Sequence, residues 1–240
     1  MAPDPLLVRA REAWRELSGV SMAFPAEGGV DVEVSAGSLL CPPGWVGIVA
    51  LGDAAVVTVP SAGSVGMVRA VLRRLPVAEL TDAGRLRALL PVADVLGPAS
   101  LAYLDRSHFR PAASDDVPVA PGEPADLAAL LASVPADDAD ECGLTDITSR
   151  AFVARRGGDV LAAAGYRHWP GQVAHLSVLT GADHRGRGLA RAVASAAVAD
   201  ALANRMLPQW RARPEPSRRV ARALGFRRLG AQLSISLTGE

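Results

Sequence analysis

His184-Arg185-Gly186-Arg187-Gly188-Leu189-Ala190 stands between an apolar, β-branched run, Val173 to Thr180, and an alanine-rich stretch without Pro or Gly from Leu189 to Met206. The run has the length of a buried strand and the stretch reads as a helix, so the order is strand, glycine loop, helix. Glycines at 186 and 188 allow positive φ and remove the Cβ atoms that would hold a ligand away. Backbone N–H groups can then converge on an anion at the positive end of a helix dipole. Arg185 and Arg187 add charge. A Walker loop needs a Lys after its last Gly, and every basic residue of the 25 in this chain is Arg. A dinucleotide loop needs G-x-G-x-x-G, and here Ala190 and Ala192 follow instead.

The segment resembles the acetyl-CoA signature of the GNAT N-acetyltransferases, Q/R-x-x-G-x-G/A, filled by Arg185, Gly188 and Ala190. The flanking order is similar to that family as well. Val178-Leu179-Thr180 leads into the loop, and Leu207 to Ala212 reads as the next strand. Ser217 to Leu224 reads as a helix stopped by Gly225-Phe226, and Gln232 to Leu237 as a last strand. The resemblance covers about the last half of the chain. It implies an α/β (α+β) fold, a mixed and mostly antiparallel sheet flanked by helices, joined here to an additional N-terminal α+β domain.

Composition bounds the rest. Net charge is zero, 25 Arg against 25 Asp plus Glu, so no global basic field for nucleic acid exists. Half the residues are hydrophobic, enough for one large or two small domains. Cys41 and Cys142 stand far apart without metal-ligand spacing, so neither a disulfide scaffold nor a metal site is expected. Asp4 and Arg9 interrupt the N-terminal run, and no apolar stretch reaches the ~18 residues of a membrane span. The expectation is a cytoplasmic protein with no signal peptide and no membrane or nucleic-acid partner. Its Arg, Ala and Gly richness suggests a high-GC bacterial coding bias. The sequence is compatible with a homodimer and does not determine the oligomeric state.

In the first part of the chain Pro5 to Leu17 has helical period, and Val30 to Val34 alternates. Gly44 to Leu51 and Ala54 to Val59 flank the turn Gly52-Asp53 as a hairpin. Helices are expected over 64–75 and 82–90, before an apolar segment from Val92 to Leu104. The unit, 1–110, offers no catalytic motif; a degenerate half of similar fold is one reading of it, weakened by the lack of any counterpart to Arg185 to Ala190. A polar connector, 111–124, is expected to separate it from the GNAT-like domain, 125–240. There a short helix, an acidic patch from Pro135 to Glu141, and a hairpin turning at Gly157-Gly158 precede Val173. The patch reads either as a solvated helix start, favoured by the dipole, or as a neighbour of the acceptor pocket.

The resemblance also places the chemistry. Backbone amides of Val178, Leu179 and Thr180 would meet pantetheine and the thioester carbonyl of acetyl-CoA as co-substrate. Arg185, Gly186, Arg187, Gly188, Leu189 and Ala190 would hold its pyrophosphate, with Ser217 as an N-cap or a further contact. No metal is implied. His175 is the candidate base, since an unperturbed imidazole titrates near ~6.5; the alternative is a packed strand histidine. Tyr166 or His168 would assist it. Ala221 stands where many members carry a Tyr acid, and Pro214 replaces a common Asn. Two functions remain open: an acetyl-CoA-dependent N-acetyltransferase acting on a primary amine of a small molecule or protein, and a catalytically weak or inactive acyl-CoA-binding regulatory module.

Overall fold

The computed structural model describes residues 4–114 and 116–239. It divides into two compact units, Met1–Leu101 with Arg228–Glu240, and Ala102–Arg227.

In the first unit α1 (Pro5–Leu17) starts on Asp4, whose carboxylate accepts the Leu6 amide at 3.0 Å, with Pro5 in the first turn where its missing N–H costs nothing. Its 3.6-residue apolar stripe buries Leu6, Ala10, Ala13, Trp14 and Leu17. The strands are β1 (Gly29–Val34), β2 (Val46–Leu51), β3 (Ala54–Val59), β4 (Val92–Tyr103) and β10 (Arg227–Leu237). β1 runs parallel to β3, and β2 is antiparallel to both β3 and β10. β2 and β3 are buried on both faces, which explains their almost wholly apolar sequences; the exception, Thr58, donates its hydroxyl to Ser38 Oγ at 2.8 Å. α2 (Ala62–Leu72) and α3 (Ala83–Leu89) bury Val68, Leu72 and Leu86 against Val57, Val59, Leu233 and Ile235.

The second unit is ordered β5 (Val119–Gly122), β6 (Ala151–Arg156), β7 (Asp159–Trp169), β8 (Val173–Thr180), β9 (Leu207–Ala212). β5 to β8 are antiparallel, and β9 is parallel to β8. Alternation along the strands gives the sheet two cores. Ala162, Ala164, Ala174 and Leu176 meet α6 (Leu189–Ala203) and α7 (Glu215–Ala223) through Val193, Ala197, Ala201 and Ala221. Val153, Ala163 and Leu179 meet Leu130 of α4 (Pro124–Ala132) and Leu144, which follows α5 (Ala136–Cys142). The small side chains of β7 and α6 let helix and sheet approach closely.

The structure therefore has the expected mixed, mostly antiparallel fold, with differences in how the chain is partitioned. The expected connector 111–124 lies inside the second unit, and its end forms β5; Pro121 is accommodated there because β5 is the edge strand. The last strand groups with the N-terminal unit, because it pairs with β2 from Gly230↔Leu51 to Ile235↔Val46. α7 begins at Glu215 rather than Ser217, since Pro216 in the first turn lacks only an N–H that the helix does not use there. α6 ends at Ala203, short of Met206.

Candidate functional site

β8 and β9 pair only at Val173↔Leu207, Ala174↔Pro208 and His175↔Gln209, although β8 continues to Thr180 and β9 to Ala212. Beyond Gln209 the strands splay, leaving a notch whose β8 wall is Leu176 to Thr180. Its open end meets the glycine loop. A 3-10 turn, Ala182–His184, leads to Arg185, and Gly186 and Gly188 take φ of 78° and 79°, the second as N-cap of α6. Among the described residues, the backbone amides from Gly186 to Arg191 meet no backbone acceptor. They are the orphan donors of a helix start, displayed on an exposed loop. A Cβ built at Gly186 or Gly188 would meet no protein atom within 4 Å, so the space beside them is open. Thr180 Oγ1 and His184 Nδ1 are buried without a partner nearby. Free amides, positive helix end and orphaned polar atoms suit a ligand that combines amides with phosphates, the chemistry of coenzyme A. Leu189 is buried under the loop, so any role at its position falls to its backbone.

The acidic patch forms α5 and turns toward this notch. Asp138 pairs with Arg185 at 2.7 Å and Glu141 with Arg213 at 3.1 Å, so the carboxylates of one short helix meet an arginine of the glycine loop and one that directly follows β9. Neither partner was visible in the sequence, because 47 residues separate Asp138 from Arg185.

His175 lies at the closed end of the notch. Its imidazole stacks on Trp169 at 4.1 Å between centroids, and its Nδ1–H donates to Gln209 Oε1, leaving Nε2 as the acceptor nitrogen. Burial, then the charge of Arg211, hold its proton affinity down to about 3, so it is neutral across physiological pH. That corrects the expectation of an ordinary imidazole. The expected helpers do not reach it. In the β7–β8 register Arg167 faces His175, whereas Tyr166 faces Leu176 and His168 faces Ala174, on the α6 side of the sheet. The Tyr166 hydroxyl donates a hydrogen bond to Asp200 at 2.7 Å, and burial pushes its pKa up to about 12; His168 bonds Thr148 Oγ1 at 2.6 Å. Both belong to the α6-side framework.

Ser217 is not the N-cap, which is Pro214; its hydroxyl accepts the Trp210 indole N–H at 2.9 Å. Ala221 is 3% exposed and packed in the α6–α7 core, so a Tyr at this position has no room to present a hydroxyl without overpacking. Gln209 and Trp169 were missed. The signal for Gln209 was a polar residue inside the apolar strand Leu207 to Ala212; Trp169 gave none, since a strand tryptophan is ordinarily core.

Residues 149–231 match the family model described as GNAT acetyltransferase. The fold is similar to a GCN5-related N-acetyltransferase from Kribbella flavida, with 17% identity, a TM-score of 0.50 and coverage of 66% of this chain and 64% of that one. A GNAT-family acetyltransferase from Colwellia psychrerythraea gives 13% identity, a TM-score of 0.47 and coverage of 62% and 59%. The chain thus spans less than two thirds of either structure. No curated protein matches it. The GNAT acetyltransferase match is confined to residues 149–231 of the 240. No helix among the described residues is long and apolar enough to cross a membrane, and no described group of three or more His, Cys, Asp or Glu is arranged to hold a metal.

Proposed function

We propose that the protein is an N-acetyltransferase that moves the acetyl group of acetyl-CoA to a primary amine. The observation that carries this reading is the notch between β8 and β9, opening onto the free amides of Gly186 to Arg191. Coenzyme A, when bound, supplies an acyl group activated as a thioester. Arg185, Arg187 and the loop amides hold its pyrophosphate, and the backbone of Val178 to Thr180 faces the pantetheine arm. The amine nitrogen forms its bond to the acyl carbon as the carbon–sulfur bond breaks. The amine proton passes to His175 Nε2, directly or through water, and the thiolate takes its proton from solvent. An imidazole held near 3 is a weak base, so the expected loss in His175→Ala is about 10²-fold in kcat, the low end for a positioned proton acceptor, with coenzyme A affinity unchanged. Because His175 is already neutral, the acidic limb of kcat/KM between pH 6 and 8 belongs to the acceptor ammonium and should persist in the variant. Loss of that limb would show that His175 titrates there.

Thiol release from acetyl-CoA across an amine panel tests turnover, and calorimetry with coenzyme A tests binding. Binding without turnover on any amine favours the second reading, an acyl-CoA-binding regulatory module, which the buried Ala221 and the weakly basic His175 support. The Arg185–Asp138 pair yields a further expectation. Pyrophosphate must compete with Asp138 for Arg185, and an exposed pair contributes about 0.2–1 kcal/mol. Asp138→Asn should therefore tighten acetyl-CoA by about 1.4- to 5-fold in calorimetry at low salt. Unchanged or weaker binding would mean that the two do not compete.

A further inference from the structure

The groups around His175 are nearly all donors or cations. Gln209 is fully buried; its Oε1 is taken by His175, and its Nε2–H has no partner. Arg211, two residues further along the same face of β9, places its guanidinium 6.0 Å from the Trp169 ring that stacks on His175. Arg167 is opposite His175 on β7. Arg211 and Arg167 are both near enough to disfavour a proton on that imidazole. The counter-charges on this side are Glu141, engaged by Arg213 at 3.1 Å and also acting on Arg211, and Asp146, 3.6 Å from Arg167 across exposed side chains. Arg211 also has a partner within the protein, so it contributes here as a positive charge and not as a vacant donor.

A buried amide donor without an acceptor costs free energy unless a ligand or water completes it. What completes this one must accept hydrogen bonds beside two guanidinium groups. A polyamine or a polycationic aminoglycoside would bring further positive charge into that field, whereas an anion would relieve it. We propose that the acceptor is an amine bearing a carboxylate, an amino-acid-like molecule whose carboxylate lies against Arg211 and the Gln209 amide while its amine faces His175. The same cations lower the proton affinity of the nearby ammonium and so raise the fraction of neutral nucleophile. This inference rests on the acetyl-transfer reading and names the substrate class of that site.

The test compares initial rates at saturating acetyl-CoA for α-amino acids, the corresponding amino acid amides, and spermidine. Amino acids are expected to exceed their amides at least 10-fold in kcat/KM, with spermidine the poorest. Arg211→Gln should erase the difference between acid and amide through KM, and Arg211→Lys should restore part of it, an order that a merely structural role of Arg211 would not produce. Equal or better turnover of amides or spermidine by the wild type overturns the inference and leaves acetyl transfer standing. If no amine is turned over, acetyl transfer fails, and calorimetry of N-acetyl amino acids on the coenzyme A-loaded protein decides separately. Binding that weakens at least 10-fold in Arg211→Gln supports the carboxylate site, and absence of binding overturns it.

Discussion

Gly188→Val is expected to raise the dissociation constant of coenzyme A by 100-fold or more while the protein stays folded. Gly188 is the N-cap of α6 at φ 79°, and a Cβ there meets no protein atom within 4 Å. The protein itself loses only the strain of an L-residue in the left-handed region, about 1–2 kcal/mol. A ligand on the loop amides loses close approach, and forfeiting two charge-assisted hydrogen bonds at about 1.5–3 kcal/mol each accounts for the loss in affinity. Gly188→Ala separates the causes, since it carries the same strain with less bulk and should weaken binding less. Normal circular dichroism with unchanged affinity in the valine variant would show that the loop is not the anion cradle. Arg185→Ala is expected to be milder, because Arg185 already satisfies Asp138 in the free protein.

The largest stability effect is expected at Gly225, the stop after α7. Its φ is +96°, and a Cβ there would lie 2.0 Å from the His108 carbonyl oxygen. The surrounding chain is fixed, with the Arg110 amide on Leu224 O and the Phe226 amide on Ala221 O, each at 3.0 Å. Gly225→Ala must therefore displace backbone as well as adopt a strained dihedral, itself costing about 1–3 kcal/mol. The total should exceed about 3 kcal/mol, a fall of roughly 10 °C or more in Tm by calorimetry. A Tm within 2 °C of wild type would mean that the 106–110 segment yields freely.

Stability should also depend on His175. Its folded proton affinity lies below the unfolded value, so the unfolded chain gains a proton first as pH falls. Stability should decline progressively from about pH 6.5 toward 3, and His175→Gln should flatten that part of the profile in urea melts. An unchanged profile would show that His175 protonates as readily in the fold as in the unfolded chain.

The sequence by itself determined the order of elements through the C-terminal half. The hairpin turn Gly157-Gly158, the apolar, β-branched run before the loop, and glycines where φ must be positive are local properties, and local properties are written in consecutive residues. It also determined the cradle, because strand, glycine loop and helix are contiguous. Only the tertiary structure decided what His175 does: its partner Gln209 is 34 residues away, and the face it shares with Trp169 and Arg211 follows from the β7–β8–β9 register. Register excluded Tyr166 and His168 by turning them to the α6 side, since side chains alternate along a strand and a shift of one residue reverses the face. The pairing of Asp138 with Arg185 and of Glu141 with Arg213, and the grouping of the last strand with the N-terminal unit, likewise come from long-range packing and pairing. No periodicity along the chain encodes which distant charge or strand a residue will meet.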